Sequence, residues 1–170
     1  MLWVTRRSIR VNRTATGWLV RRFVDPAATF RFVHPAEVAS VQHSDRGIGF
    51  DAPDARYPHK DDRGRCSFEA LVEEYQPTDR ALRRLARIVH DADFPDEVHS
   101  LRPWAAPAFD VISLLSSAGT SGHEPMAEAE GLRAISRGFP LVSADDHETL
   151  VRATFLYDAL YASLRERLPQ

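Results

Sequence analysis

The apolar positions of this chain change period near residue 66: short β-rich runs come before it and helical stripes after it. Leu2–Thr5 (LWVT) and Phe30–Val33 (FRFV) read as strands. Between them lies TATGWLVRRFVDP, in which Leu19, Val20, Phe23 and Val24 share one helical face while Arg21 and Arg22 face away. Asp25-Pro26 ends that pattern. PAEVASVQ predicts a second short helix with Pro35 in its first turn, and IGFDAP offers a third short strand.

After Cys66, the residues Phe68, Leu71, Val72 and Tyr75 repeat at the spacing of a buried helical stripe. TDRALRRLARIVHDAD predicts the next helix, capped by Asp79 or Thr78. Trp104, Ala108, Val111, Ile112 and Leu115 form another stripe, and SAGTSGHEP reads as a loop. MAEAEGLRAISRG predicts a short helix stopped at Gly138. A last helix is expected to begin at Ser143, with Asp146 in the capping-box position, and to run to Leu168. The expected fold class is α+β: a small N-terminal β-sheet with helices, followed by a helical bundle, within a single domain over 1–170 (1–65 the α/β portion, 66–170 mainly helical).

Composition adds exclusions rather than a function. A chain of 170 residues buries roughly 70% of its unfolded surface, enough for one real core. The formal net charge of −2 gives no support to a nucleic-acid coat or a polybasic membrane patch. MLWVTRRSIRVNR holds no apolar stretch long enough for a signal peptide, and no run suits a membrane span. Cys66 is the sole cysteine, so an internal disulfide, a disulfide-cycling role and a four-thiolate zinc site are all out. A reduced cytoplasmic setting is the expectation.

The chemistry begins with a misplaced acid. In RIVHDADF, Asp93 falls on the same stripe as Leu82, Leu85, Ala86 and Val89, and His90 lies three residues before it. An ionised carboxylate in an apolar site costs several kcal/mol unless paired, so a cation should meet Asp93. The alternative is that the helix ends by Asp91 and Asp93 is a solvated cap. His59 stands in a polar loop before a helix, and Glu69 lies in that helix's first turn. His59, Glu69, His90 and Asp93 would make a mixed N/O shell for a divalent transition-metal ion, Zn, Mn, Fe or Ni rather than Ca. Asp145, Asp146 and His147 form a further polar cluster. Capping accounts for its acids but not for His147. Arg21 and Arg22 suit either the negative end of a helix or an oxyanion clamp. Cys66 precedes a helix, a position that can lower a thiol's pKa.

Taken in order, LWVTR, NRTATGWLVRRFVDP with FRFV, the His59 loop leading to CSFEALVEEY, LARIVHDAD, and DDHETL with YDALYA resemble the chromate resistance protein family, the ChrB type. The resemblance covers about 1–94 and 125–167, and it marks a stretch near 95–124 as an insertion. It implies a domain of bacterial chromate resistance systems and carries over Arg21, Arg22, Asp25, His59, Glu69, His90, Asp93 and Asp146. Many relatives have a cysteine before the tryptophan of the first helix, where this chain has Gly17. The expected function is therefore a metal-binding domain of the chromate stress response that senses or transforms chromate or a related oxyanion. A metal-free oxyanion-sensing or protein-docking module is the alternative. Whether the domain is an enzyme stays open. No membrane partner and no direct nucleic-acid binding by this chain alone are expected, and a homo-oligomer is compatible with the sequence.

Overall fold

A computed structural model describes residues 1–95 and 126–168. The helix expected over Trp104–Leu115, the loop at 117–125 and, but for Pro95, the insertion near 95–124 lie outside the described residues.

Strands β1 (Leu2–Arg6), β2 (Thr29–Val33) and β3 (Ile48–Gly49) form a three-stranded sheet in the order β2-β1-β3. Both pairings are parallel, with Leu2 opposite Thr29 and Trp3 opposite Ile48. Parallel neighbours need a crossover, and helix α1 (Val11–Leu19) supplies the one between β1 and β2. Its last turn widens into a π-helical segment at Val20–Val24. A 3₁₀ turn at Pro35–Glu37 leads into α2 (Val38–Ser44), and the predicted short helix is there with its proline in place.

Helices α3 (Ser67–Tyr75), α4 (Arg80–Asp93), α5 (Ala127–Val142) and α6 (Asp146–Arg167) follow. The α+β expectation is met. No helix among the described residues is long and apolar enough to cross a membrane. α1 is the central plank: it touches α3, α4, α5 and α6, and all but one of its residues are buried. At its heart Trp18 meets Phe23, Tyr157 and Tyr161 within 5.8 Å, and its Nε1 donates to Asp158 at 2.9 Å. Gly17 lets the helices close. A Cβ there would lie 2.7 Å from Leu150 Cδ1 of α6, so a larger residue requires the Leu150 side chain to shift.

Two boundaries differ from expectation for physical reasons. The helix expected to stop at Gly138 continues to Val142 with Pro140 inside it, because Leu132, Ser136 and Phe139 bury one face and packing outweighs the breakers' propensity. Ser143 does not start the last helix. It closes α5, and the N-cap of α6 is Asp145, whose carboxylate accepts Glu148 N–H at 2.8 Å. Asp79 caps α4 as expected, accepting Leu82 N–H at 2.8 Å and the Tyr161 hydroxyl at 2.6 Å.

Candidate metal centre

Helix α4 runs without a break to Asp93, so the reading of this acid as a solvated cap beyond a finished helix is not what the structure shows. Leu82, Leu85, Ala86 and Val89 on its stripe are fully buried, and the Asp93 side chain is only 19% exposed. The companion to Asp93 comes from the segment that follows β3. β3 ends at Gly49, and Phe50 bridges to Tyr57, which carries the chain out and back. Asp51 follows in the left-handed region at φ 50°, a conformation aspartate tolerates better than most residues. The returning strand sets His59 beside it.

Asp51 is the hub. Its side chain is 1% exposed, and its Oδ1 accepts His59 Nδ1–H at 2.6 Å and Asn12 Nδ2–H at 2.7 Å. Its Oδ2 accepts Arg13 at 2.9 Å and Arg6 at 3.0 Å, while Arg6 Nε also holds the Asp51 carbonyl at 2.7 Å. Four donors saturate a carboxylate. Burial alone would raise the pKa of Asp51, but the His59 bond and the charges of Arg13 and Arg6 outweigh it and hold it below the usual carboxylate range. The bond to Asp51 raises the pKa of His59 despite burial. Asp93 lies on the other side of the same imidazole, its Oδ2 3.7 Å from His59 Nδ1, and that buried oxygen accepts no hydrogen bond among the described residues. Burial, reinforced by the negative charge of Asp51, pushes the Asp93 carboxyl up to about 6.

A second triad lies deeper. Cys66 is the N-cap of α3. Its sulfur accepts Glu69 N–H, and Glu69 reaches back so that Oε2 accepts Cys66 N–H at 2.8 Å. The same Oε2 takes His90 Nδ1–H at 2.6 Å, in a pair whose side chains are 1% and 2% exposed. A ligand atom from each of Cys66, Glu69 and His90 lies within 4.8 Å of the others, as does one from each of Asp51, His59 and Asp93. Phe94 joins the two groups: its ring centroid is 4.9 Å from that of His59 and 4.8 Å from that of His90. Burial, then the Glu69 charge, raises the Cys66 thiol well above its ordinary pKa, so the lowered value expected of a helix N-terminus is not found.

The four residues singled out as metal ligands thus occupy one neighbourhood, divided between two triads, and each imidazole has a buried carboxylate on Nδ1. An ionised carboxylate only accepts, so Nδ1 carries the proton in both rings, and in the neutral ring Nε2 is left with the lone pair. That is how carboxylates fix histidine tautomers in metal sites. Asp51, Arg6, Arg13 and Asn12 escaped sequence reading. Asp51 sits in a stretch that looks like a strand end, and the others are scattered along a strand and a helix with no shared spacing.

Arg21 and Arg22 do not converge. Arg21 stacks over Phe30 at 5.0 Å, whereas Arg22 pairs with Asp158 at 3.0 Å and lies over Tyr161. Asp25 holds the N-terminal amine at 2.6 Å and the Trp3 indole at 3.3 Å. Asp145 is a cap, and His147 rests its ring against Phe32 at 4.8 Å. Asp146 is a clip, accepting Ser8 N–H at 2.8 Å and Ile9 N–H at 2.9 Å, which ties the start of α6 to the turn after β1. Replacing Asp146 with Ala leaves both donors without that acceptor and is expected to lower unfolding free energy by about 1–3 kcal/mol, read by urea titration, with metal content unchanged.

No solved structure matches the chain. It is 30% identical over 160 residues to Protein ChrB of Cupriavidus metallidurans, an alignment covering 94% of this chain and 39% of that protein. The chain thus spans about two fifths of the length of this curated relative. The profile of the family described as "ChrB, C-terminal domain" matches residues 3–115, a range that holds both triads, and the chain belongs to that family.

Proposed function

We propose that this domain binds a divalent transition-metal ion, Zn, Mn, Fe or Ni, where its two triads meet, and serves the chromate response through that site. His90 and Glu69 form the buried side, and His59 and Asp93 the side nearer solvent. The carrying observation is the pair of Nδ1–carboxylate bonds at 2.6 Å, which orient two imidazoles while a third buried carboxylate oxygen nearby accepts no hydrogen bond among the described residues. Asp93 then has the cation its position demands. Chromate or a related oxyanion is the partner that suits the outer rim, where Arg6 and Arg13 gather positive charge around Asp51. Arg6 and Arg13 take over there the role that sequence spacing suggested for Arg21 and Arg22. When bound, the ion could polarise an oxyanion or water, and the protein's part is to hold the imidazoles and exclude bulk solvent.

One observation favours the metal-free alternative: Asp51 is already saturated by its own donors, so the outer triad closes without an ion. Elemental analysis of protein purified without an affinity tag decides between the two. Stoichiometric metal in the wild type, lost in His90→Ala and bound at least 10–100-fold more weakly in Glu69→Gln, supports the metal site, because about that factor attaches even to a group that only orients a ligand. Wild-type protein that neither carries metal nor takes it up on titration leaves an oxyanion-sensing or docking module.

A further inference from the structure

We infer that Cys66 is a thiolate ligand of this ion, so that Cys66, Glu69 and His90 form a three-membered S/O/N donor set that leaves a further position open. The inference rests on the metal reading above and goes beyond it by adding a soft donor and moving the ion inward.

Three observations converge on these side chains. Their ligand atoms lie within 4.8 Å of one another, and the residues are 0%, 1% and 1% exposed. Cys66 and Glu69 stand three residues apart at the start of α3, and His90 is supplied by α4, the next helix along. Two donors three apart, joined by a third from another element, is the spacing of structural zinc sites, with a carboxylate replacing one sulfur. The sulfur is also fixed in place, because it accepts Glu69 N–H and so stays beside the carboxylate of that residue.

Charge decides which triad takes the ion. At the outer triad a cation meets the guanidinium groups of Arg6 and Arg13, both within 3.0 Å of Asp51 Oδ2. At the inner triad the Glu69 carboxylate is bonded to a backbone N–H and an imidazole, neither of which carries a fixed positive charge. A donor set of sulfur, nitrogen and oxygen selects borderline ions such as Zn, Fe, Co or Ni over Mg and Ca. Binding replaces the thiol proton with the metal and releases that proton to solvent, with no change of oxidation state.

The test is spectroscopic and uses the untagged full chain. Loaded with cobalt(II), it should show a near-ultraviolet thiolate-to-cobalt charge-transfer band. The band should vanish in Cys66→Ser, with cobalt affinity falling more than about 100-fold, since an orienting partner alone is worth 10–100-fold. Because a buried serine could unfold the domain, X-ray absorption on the zinc-loaded wild type gives the answer without a variant: a sulfur scatterer at about 2.3 Å is expected. Stoichiometric cobalt and zinc with only nitrogen and oxygen neighbours overturn the thiolate ligand while leaving the metal site standing. Failure of both ions to bind overturns the metal reading, and the ligand assignment with it.

Discussion

Asp51→Ala is expected to remove about 3–5 kcal/mol from the unfolding free energy, because deleting one member of a buried ionic network strands its partners. Arg13, with a side chain only 13% exposed, is left facing Arg6 and His59 with only the more distant Asp93 to offset them. Alanine also tolerates the left-handed backbone at residue 51 less well than aspartate does. Asp51→Asn keeps that conformation and one acceptor oxygen, so its loss should be smaller. The pH profile identifies the cause. The depressed pKa of Asp51 makes its contribution complete above its ordinary value of 3.8, and the contribution is lost as pH falls through the folded value. The raised pKa of His59 has the opposite sign: its contribution is complete below 6.5 and fades as pH rises through the folded value. The gap between wild type and Asp51→Ala should therefore be widest between these two values, as measured by urea titration across the range. A gap that does not change with pH would mean that backbone strain, not charge, is responsible.

Asp93→Asn should do the reverse and stabilise the metal-free protein. The fold raises the Asp93 carboxyl from 3.8 to about 6, which corresponds to about 3 kcal/mol at 1.36 kcal/mol for each pH unit. Below pH 3.8 the acid is neutral whether folded or unfolded, and the variant gains nothing. Between 3.8 and about 6 the penalty of the buried charge builds up, and above that it is constant. Chelator-treated Asp93→Asn should thus match wild type in acid and exceed it by up to about 3 kcal/mol at pH 8. With a divalent ion bound beside Asp93 the sign should reverse, since the charge that burdens the metal-free protein would then attract the cation. Equal stability of the two metal-free proteins at pH 8 would show that Asp93 carries no such burden.

Sequence pattern alone located the strands, α3, α4 and the neighbourhood of His59, Glu69, His90 and Asp93. The period of an amphipathic helix places residues on a face, and an acid on a greasy face stands out against it. What pattern could not supply was Asp51. Nothing in GFDAP separates a strand end from a left-handed residue aimed at a pocket, and its donors Arg6, Asn12 and Arg13 reach it only after the parallel crossover has formed. The end of α5 was hidden for a related reason: Gly138 reads as a stop until the burial of Phe139 is known. Arg21 and Arg22 misled in the opposite direction. Adjacent arginines look like a fork in the sequence, but in the structure they reach Phe30 and Asp158 separately.

α6 carries one more implication. Its Asp146 holds the turn after β1, and its Tyr157 hydroxyl donates to Val11 O and bonds Thr14, across sequence separations of 137 to 146 residues. Contacts this distant form slowly, because the chain entropy lost on closing such loops comes before the contacts repay it. On the ribosome, the stretch that steadies α1 emerges after every other described element, so those elements wait, half-assembled, for a late arrival. The domain should therefore mature only once α6 has emerged, and nascent chains arrested before residue 146 should stay open to protease.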